Sequence, residues 1–178
     1  MNNSLQLNKS LAFLAGVYFA FLQFAYYFML EAFLTSRSIS FFIALLFWLI
    51  GFLIGLNIKK NGLLITLLFA GTITYYCGFF LNQLFLYNKN LLFIISIFII
   101  VSGISPGYFF SKGGGSFAKI KDLFFHENNG FILGILISLP AILFYGSLFL
   151  KIGPAVGFIL FMMAYYFYSM GTPKEENI

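Results

Sequence analysis

A chain of 178 residues in which 61% are apolar and only 8% charged cannot cover its surface in water. A soluble domain carries about 25% charged residues, and a disordered chain is charge-rich and aromatic-poor, whereas 22% of these residues are aromatic. An integral membrane protein remains. Its net charge of +5 sits in single or paired basic residues between apolar runs, a pattern that sets orientation and meets anionic headgroups rather than nucleic acid.

A helix crossing the hydrocarbon core needs about 20 apolar residues. Six segments qualify in chain order, 11–30, 40–58, 63–87, 91–110, 131–150 and 154–170, and they predict one all-α domain over 1–178, a bundle of six transmembrane helices. None alternates with period 2, as the strands of a membrane barrel would. The first span follows Lys9 and is longer than the apolar core of a signal peptide, so it reads as a retained helix. Gln23 is its conspicuous polar residue, and Glu31 and Arg37 flank the turn that follows, placed to pair or to reach headgroups.

The second span carries Gly51 and Gly55 four residues apart, a spacing repeated at Gly103/Gly107, Gly130/Gly134 and Gly153/Gly157. Glycines at that spacing leave a flat groove that another helix backbone can approach, within one bundle or between chains. The third span is the most polar, with Thr72, Thr74, Tyr75, Tyr76, Cys77, Asn82 and Gln83, which suits either a cavity wall or interhelical hydrogen bonds. Pro106 breaks the fourth span within Ser102-Gly103-Ile104-Ser105-Pro106-Gly107; such a break lines a ligand site or is a packing kink satisfied by nearby Ser hydroxyls.

The one long connector, 111–130, opens on the hinge Gly113-Gly114-Gly115 with Ser116 as an N-cap. Phe117, Ile120, Leu123 and Phe124 then fall at helical spacing beside Lys119 and Lys121, predicting a short amphipathic cytoplasmic helix. Phe117, Lys119, Lys121 and Phe124 are its candidate contacts to a partner protein or to anionic lipid. His126 and Glu127 fall in the same connector, so no charged residue is expected inside any span. In the fifth span Pro140 predicts a kink, and in the last Tyr165, Tyr166 and Tyr168 are interface anchors.

With six spans, Lys9, Lys59, Lys60, Lys112, Lys119, Lys121 and Lys174 share one side, and Arg37, Lys89 and Lys151 the other. The positive-inside rule then places both termini in the cytoplasm, the membrane being a cytoplasmic (inner) membrane or an organellar inner one. No chemistry-bearing constellation emerges. One cysteine and one histidine make neither a metal site nor a haem-ligand pair, the glycine run lacks the P-loop spacing, and no nucleophile–base pair or paired carboxylates fall in a span. No catalytic residue, metal or cofactor is assigned.

Two stretches, SISFFIALLFWLIGFLIGLN over 38–57 and the run from Gly103 through Gly134, resemble the membrane domain of the membrane-bound spermidine synthase-like proteins. Gly51 and Gly55 match that domain's second span, the Pro/Gly break its fourth, and Glu127, Gly130 and Gly134 the opening of its fifth. Gln23 stands where the family often has an acidic residue, Pro140 departs from the family's proline position, and nothing matches its cytoplasmic aminopropyltransferase domain. The resemblance implies a membrane module without its enzyme. The first expectation is therefore a non-catalytic subunit that anchors or scaffolds other protein subunits in the bilayer. The second is a carrier or channel for a small solute, polyamine-like solutes included.

Overall fold

The computed structural model describes residues 3–34, 36–85, 90–113 and 120–171, with side chains described for 9–34, 36–85, 90–112 and 120–167. It is a bundle of six helices: α1 (Asn3–Leu34), α2 (Arg37–Leu56), α3 (Leu64–Leu84), α4 (Leu91–Gly113), α5 (Ile120–Tyr145) and α6 (Ser147–Gly171). All six are long and apolar enough to cross a bilayer.

Helix α1 is the hub and packs against the other five, chiefly α5 and α6. Its Tyr18, Phe19, Leu22, Tyr26, Met29 and Leu30 are fully enclosed. By contrast α2, α3, α5 and α6 turn long rows of Phe, Leu and Ile outward, such as Phe42, Ile73, Leu136 and Leu160, which suits a lipid-facing surface.

Two seams organise the bundle. Along α2 and α4, a Cβ on Gly51 would overlap the Ile100 carbonyl oxygen and stand 2.9 Å from Gly103 Cα; one on Gly55 would stand 3.0 Å from Gly107 Cα. In return, Gly103 and Gly107 lie against the Trp48 and Phe52 carbonyls. Along α1 and α5, Gly16 lies against the Glu127 carbonyl and Gly130 against that of Phe13, while Gly134 meets Ala20 Cβ. In both seams residue numbers rise together, so each pair is parallel. Only a residue without a side chain permits such backbone contact.

Prolines 106 and 154 sit inside α4 and α6, and each leaves one carbonyl without its helical donor. Ser105 Oγ donates to the Ser102 carbonyl at 2.9 Å, which is the one Pro106 deprives. Tyr75 Oη donates at 2.8 Å to the Leu150 carbonyl, which Pro154 deprives. Tyr76 Oη goes further: it donates to the Lys151 carbonyl at 2.9 Å and accepts from Ala155 N at 3.1 Å, standing between a donor and acceptor that an unkinked helix would pair directly.

The other polar residues of α3 also serve packing. Tyr18 Oη lies 2.9 Å from Thr72 Oγ1 and Tyr26 Oη 2.9 Å from Ser102 Oγ, which donates to the Gly71 carbonyl at 3.0 Å. Cys77 and Gln83 face outward, and Asn82 Oδ1 is buried without a hydrogen-bond partner. Among the described residues, the third span is thus bound to its neighbours mainly by hydroxyls.

The fifth and sixth helices differ from the expected spans. The chain turns at Gly146, which takes φ 52° and donates its N–H to the Ile142 carbonyl at 2.9 Å. Lys151 and Pro154 therefore lie inside α6 and not at its start. At the other end, α5 runs unbroken from Ile120, so Ile120, Lys121 and Phe124 form its first turns and not a separate surface helix. Leu123, Glu127, Gly130, Gly134 and Ser138 make one buried stripe on it, and docking of that stripe on α1 carries the helix past the expected boundary. Ser116, Phe117 and Lys119 lie outside the described residues.

Two predictions follow from this packing. Gly107→Leu should separate α2 from α4 and lower stability by at least about 2 kcal/mol, whereas Ile73→Leu on the outward face should be neutral within about 0.5 kcal/mol; equal unfolding midpoints in detergent would count against the seam. Tyr76→Phe should cost about 1 kcal/mol because it strands groups at the kink, but much less in a Pro154→Ala background, where the ladder can close. A double-mutant cycle measures that difference, and strict additivity would refute the role given to Tyr76.

Candidate functional site

Between the α2–α4 pair and the α1–α5 pair lies a cavity of about 330 Å³. Helix α1 contributes Phe19 and Gln23, α2 contributes Leu45, Trp48, Leu49 and Phe52, and α4 contributes Pro106 and Phe110. Helix α5 adds Phe124, Glu127, Asn128 and Phe131, and the cleft is open at the surface of the bundle, where Leu49 and Phe124 are exposed. The glycine seams produce this arrangement. They draw the helices of each pair together, while the faces that the pairs turn to each other carry bulky rings that cannot interlock as closely.

Glu127 is the chemical centre of the cavity. Only 6% of it is exposed, and it makes neither hydrogen bond nor ion pair with the described residues. By helical rise it stands roughly 10 Å along α5 from Ile120, within a segment apolar enough to span the membrane. Buried carboxylates normally pair with one another, with cations or with backbone groups, because an unpaired one is costly. Gln23, on the adjoining helix α1, likewise has no partner among the described residues. Much of the remaining lining is aromatic, beside Leu45, Leu49, Pro106 and Asn128: Phe110 stacks on Phe124 with ring centroids 4.5 Å apart, and Phe52 meets Phe110 edge-on at 5.8 Å. A carboxylate beside aromatic rings can attract a cation twice over, by Coulomb attraction and by the ring quadrupoles.

The residues expected to pack helices divide cleanly. Gly51, Gly55, Gly103 and Gly107 come together in one seam, and Gly130 and Gly134 enter the other with Gly16. Of the expected contact residues, Phe124 lines the cavity while remaining 43% exposed, and Lys121 is exposed one turn before it. His126 is helical rather than in a loop, edge-on to Phe125 at 5.4 Å. Glu127 is the main residue that sequence reasoning misplaced. Its spacing from Leu123, Gly130 and Gly134 is the signal that puts it on the buried face. Among the described residues, no three His, Cys, Asp or Glu side chains gather as metal ligands.

Comparison with family models, with curated proteins and with solved structures finds no match to this chain.

If Glu127 is present for a ligand and not for the fold, removing its charge should help the empty protein. Glu127→Leu should raise the unfolding free energy in detergent by about 1–3 kcal/mol; a clear loss of stability would assign the carboxylate a structural role instead.

Proposed function

We propose that this chain is a membrane carrier for a small organic cation, and that the cavity around Glu127 is its binding site. The observation that supports this reading is the buried carboxylate, unpartnered among the described residues, in a cleft that Trp48 and several Phe rings help to line. Of the two functions the sequence left open, this is the small-solute one. The scaffold expectation rests on the lack of a catalytic constellation and on the family resemblance, and a buried Glu127 in α5 adds weight to the small-solute reading instead.

The chemistry also narrows the solute. A single carboxylate matches a single ammonium group, and the aromatic walls match apolar substituents around it. A polyamine would bring further ammonium groups against Phe19, Leu45 and Leu49 with no carboxylate to meet them. Amines and quaternary ammonium ions with an apolar body fit better.

The scaffold reading keeps one observation of its own. Ile120, Phe124 and Phe125 are exposed beside Lys121 at the start of α5, a face suited to anionic lipid or a protein partner. The likeness to the spermidine synthase-like membrane domain belongs to the same proposal. It draws support from Gly51, Gly55, Gly130 and Gly134, which are seam residues. Orientation is part of the proposal too: the basic asymmetry puts both termini in the cytoplasm of a cell with this protein in its inner membrane. Lys112 Nζ donates to the Lys59 carbonyl at 2.7 Å, which is consistent with assigning those lysines to one side.

The test is uptake of labelled tetraethylammonium into proteoliposomes. The protein should raise uptake above that of empty vesicles, and Glu127→Gln should abolish the increase while leaving the unfolding midpoint at or above that of the parent. Uptake equal to that of empty vesicles, or unaffected by Glu127→Gln, would remove the carrier reading.

A further inference from the structure

Along α1, Gln23, Tyr27 and Glu31 recur at four-residue intervals and so share one stripe. Three hollows lie end to end on that stripe. The Glu127 cavity borders Gln23 and Leu45; a neck of about 20 Å³ borders Gln23, Leu45, Ala44, Phe41 and Tyr27; and a larger pocket of about 760 Å³ borders Tyr27, Glu31 and Arg37. Neighbouring hollows share wall residues, Gln23 and Leu45 on one side of the neck and Tyr27 on the other.

Resting on the carrier reading, we propose that these hollows are one translocation route, that the outer pocket is a second station for the same organic cation, and that Tyr27 with Phe41 is the gate between the stations. The neck holds about one water molecule, too little for an organic cation. Its narrowing is made by two rings, Tyr27 and Phe41, edge-on with centroids 5.9 Å apart. Rotation of one aromatic side chain is a smaller motion than separating a glycine seam. Beyond the gate, Glu31 supplies the carboxylate. Arg37 Nε lies 2.8 Å from Glu31 Oε1, yet the Arg37 side chain is 86% exposed and free to swing into water. An arriving ammonium group can take its place on Glu31, which is only 24% exposed. The route therefore offers one carboxylate at each end and rings with one amide between, a sequence suited to a monocation with an apolar body. Of the chain's five acidic residues, two stand at its two ends.

Cysteine accessibility in native membranes tests this in a Cys77→Ser background. Leu45→Cys lies at the inner side of the neck, Ile73→Cys on the outward face of α3 as the lipid control, and Ser38→Cys reports which side of the membrane the α1–α2 turn faces. The probe is a methanethiosulfonate bearing a trimethylammonium group, itself an organic cation, added on the Ser38 side. Thiol attack requires a thiolate and hence water, so Ile73→Cys should stay inert. Leu45→Cys should react slowly with Tyr27 or Tyr27→Phe in place and about tenfold faster with Tyr27→Ala. Glu31→Gln should slow that faster reaction. Leu45→Cys no faster than Ile73→Cys in the Tyr27→Ala protein, with its unfolding midpoint unchanged, would overturn the route. If labelling accelerates as expected but Glu127→Gln leaves tetraethylammonium uptake unchanged, the route stands and the assignment of the Glu127 cavity as the binding site fails.

Discussion

Close backbone approach at glycine is the constraint on which the rest of this structure depends. Lipid tails are as apolar as Leu, so helices inside a bilayer gain little from hiding Leu and Phe against each other. Contact must come from van der Waals fit, and fit is best where side chains are absent. Gly51, Gly55, Gly103 and Gly107 provide that between α2 and α4, and Gly16, Gly130 and Gly134 between α1 and α5. Two parallel pairs result, each bound backbone to backbone. The faces they turn to one another carry Phe19, Trp48, Phe52, Phe110 and Phe131, and the space between these rings is the cavity.

A second constraint sorts the polar residues. In a bilayer every backbone group released by a proline needs another partner. Ser105, Tyr75 and Tyr76 meet that need at Pro106 and Pro154, and Tyr18, Tyr26, Thr72 and Ser102 tie α1, α3 and α4 together. These hydroxyls are fully engaged in holding the bundle. Glu127 and Gln23 have no such bond among the described residues, and both line one cleft, whereas the unpaired Asn82 Oδ1 does not. That contrast separates structural polarity from polarity available to a ligand, and it underlies the carrier reading.

Much of the fold is legible in the sequence because span length and glycine spacing are local properties. The apolar runs of α2, α3 and α4 stand within a few residues of the observed helices, and three glycine pairs announce both seams. Gly16 is harder to read: a lone glycine, it acts as a groove only because Ala12 and Ala20 flank it one turn away on the same face. The α5–α6 turn is hard to read because Gly153 and Pro154 look like a boundary, while Gly146 between Tyr145 and Ser147 carries the positive φ that ends α5. Glu127 is hard to place for a related reason. A charged stretch with His126 and Asn128 resembles a connector until the four- and three-residue steps through Leu123, Glu127 and Gly130 are followed as one helical stripe. The cavity itself is non-local, since it joins residues from four helices, and only the packed bundle reveals it.

The most direct measurement of the central claim is the thermal stability of the purified protein as tetraethylammonium is added. A ligand that binds only the folded state stabilises it by RT ln(1 + [L]/Kd), about 2.7 kcal/mol at a hundredfold excess over Kd. The parent protein should show an unfolding midpoint that climbs with tetraethylammonium and not with equal ionic strength of sodium chloride, and Glu127→Gln should flatten the response. A midpoint that stays level in the parent, or rises equally in Glu127→Gln, would contradict a cation site at this carboxylate.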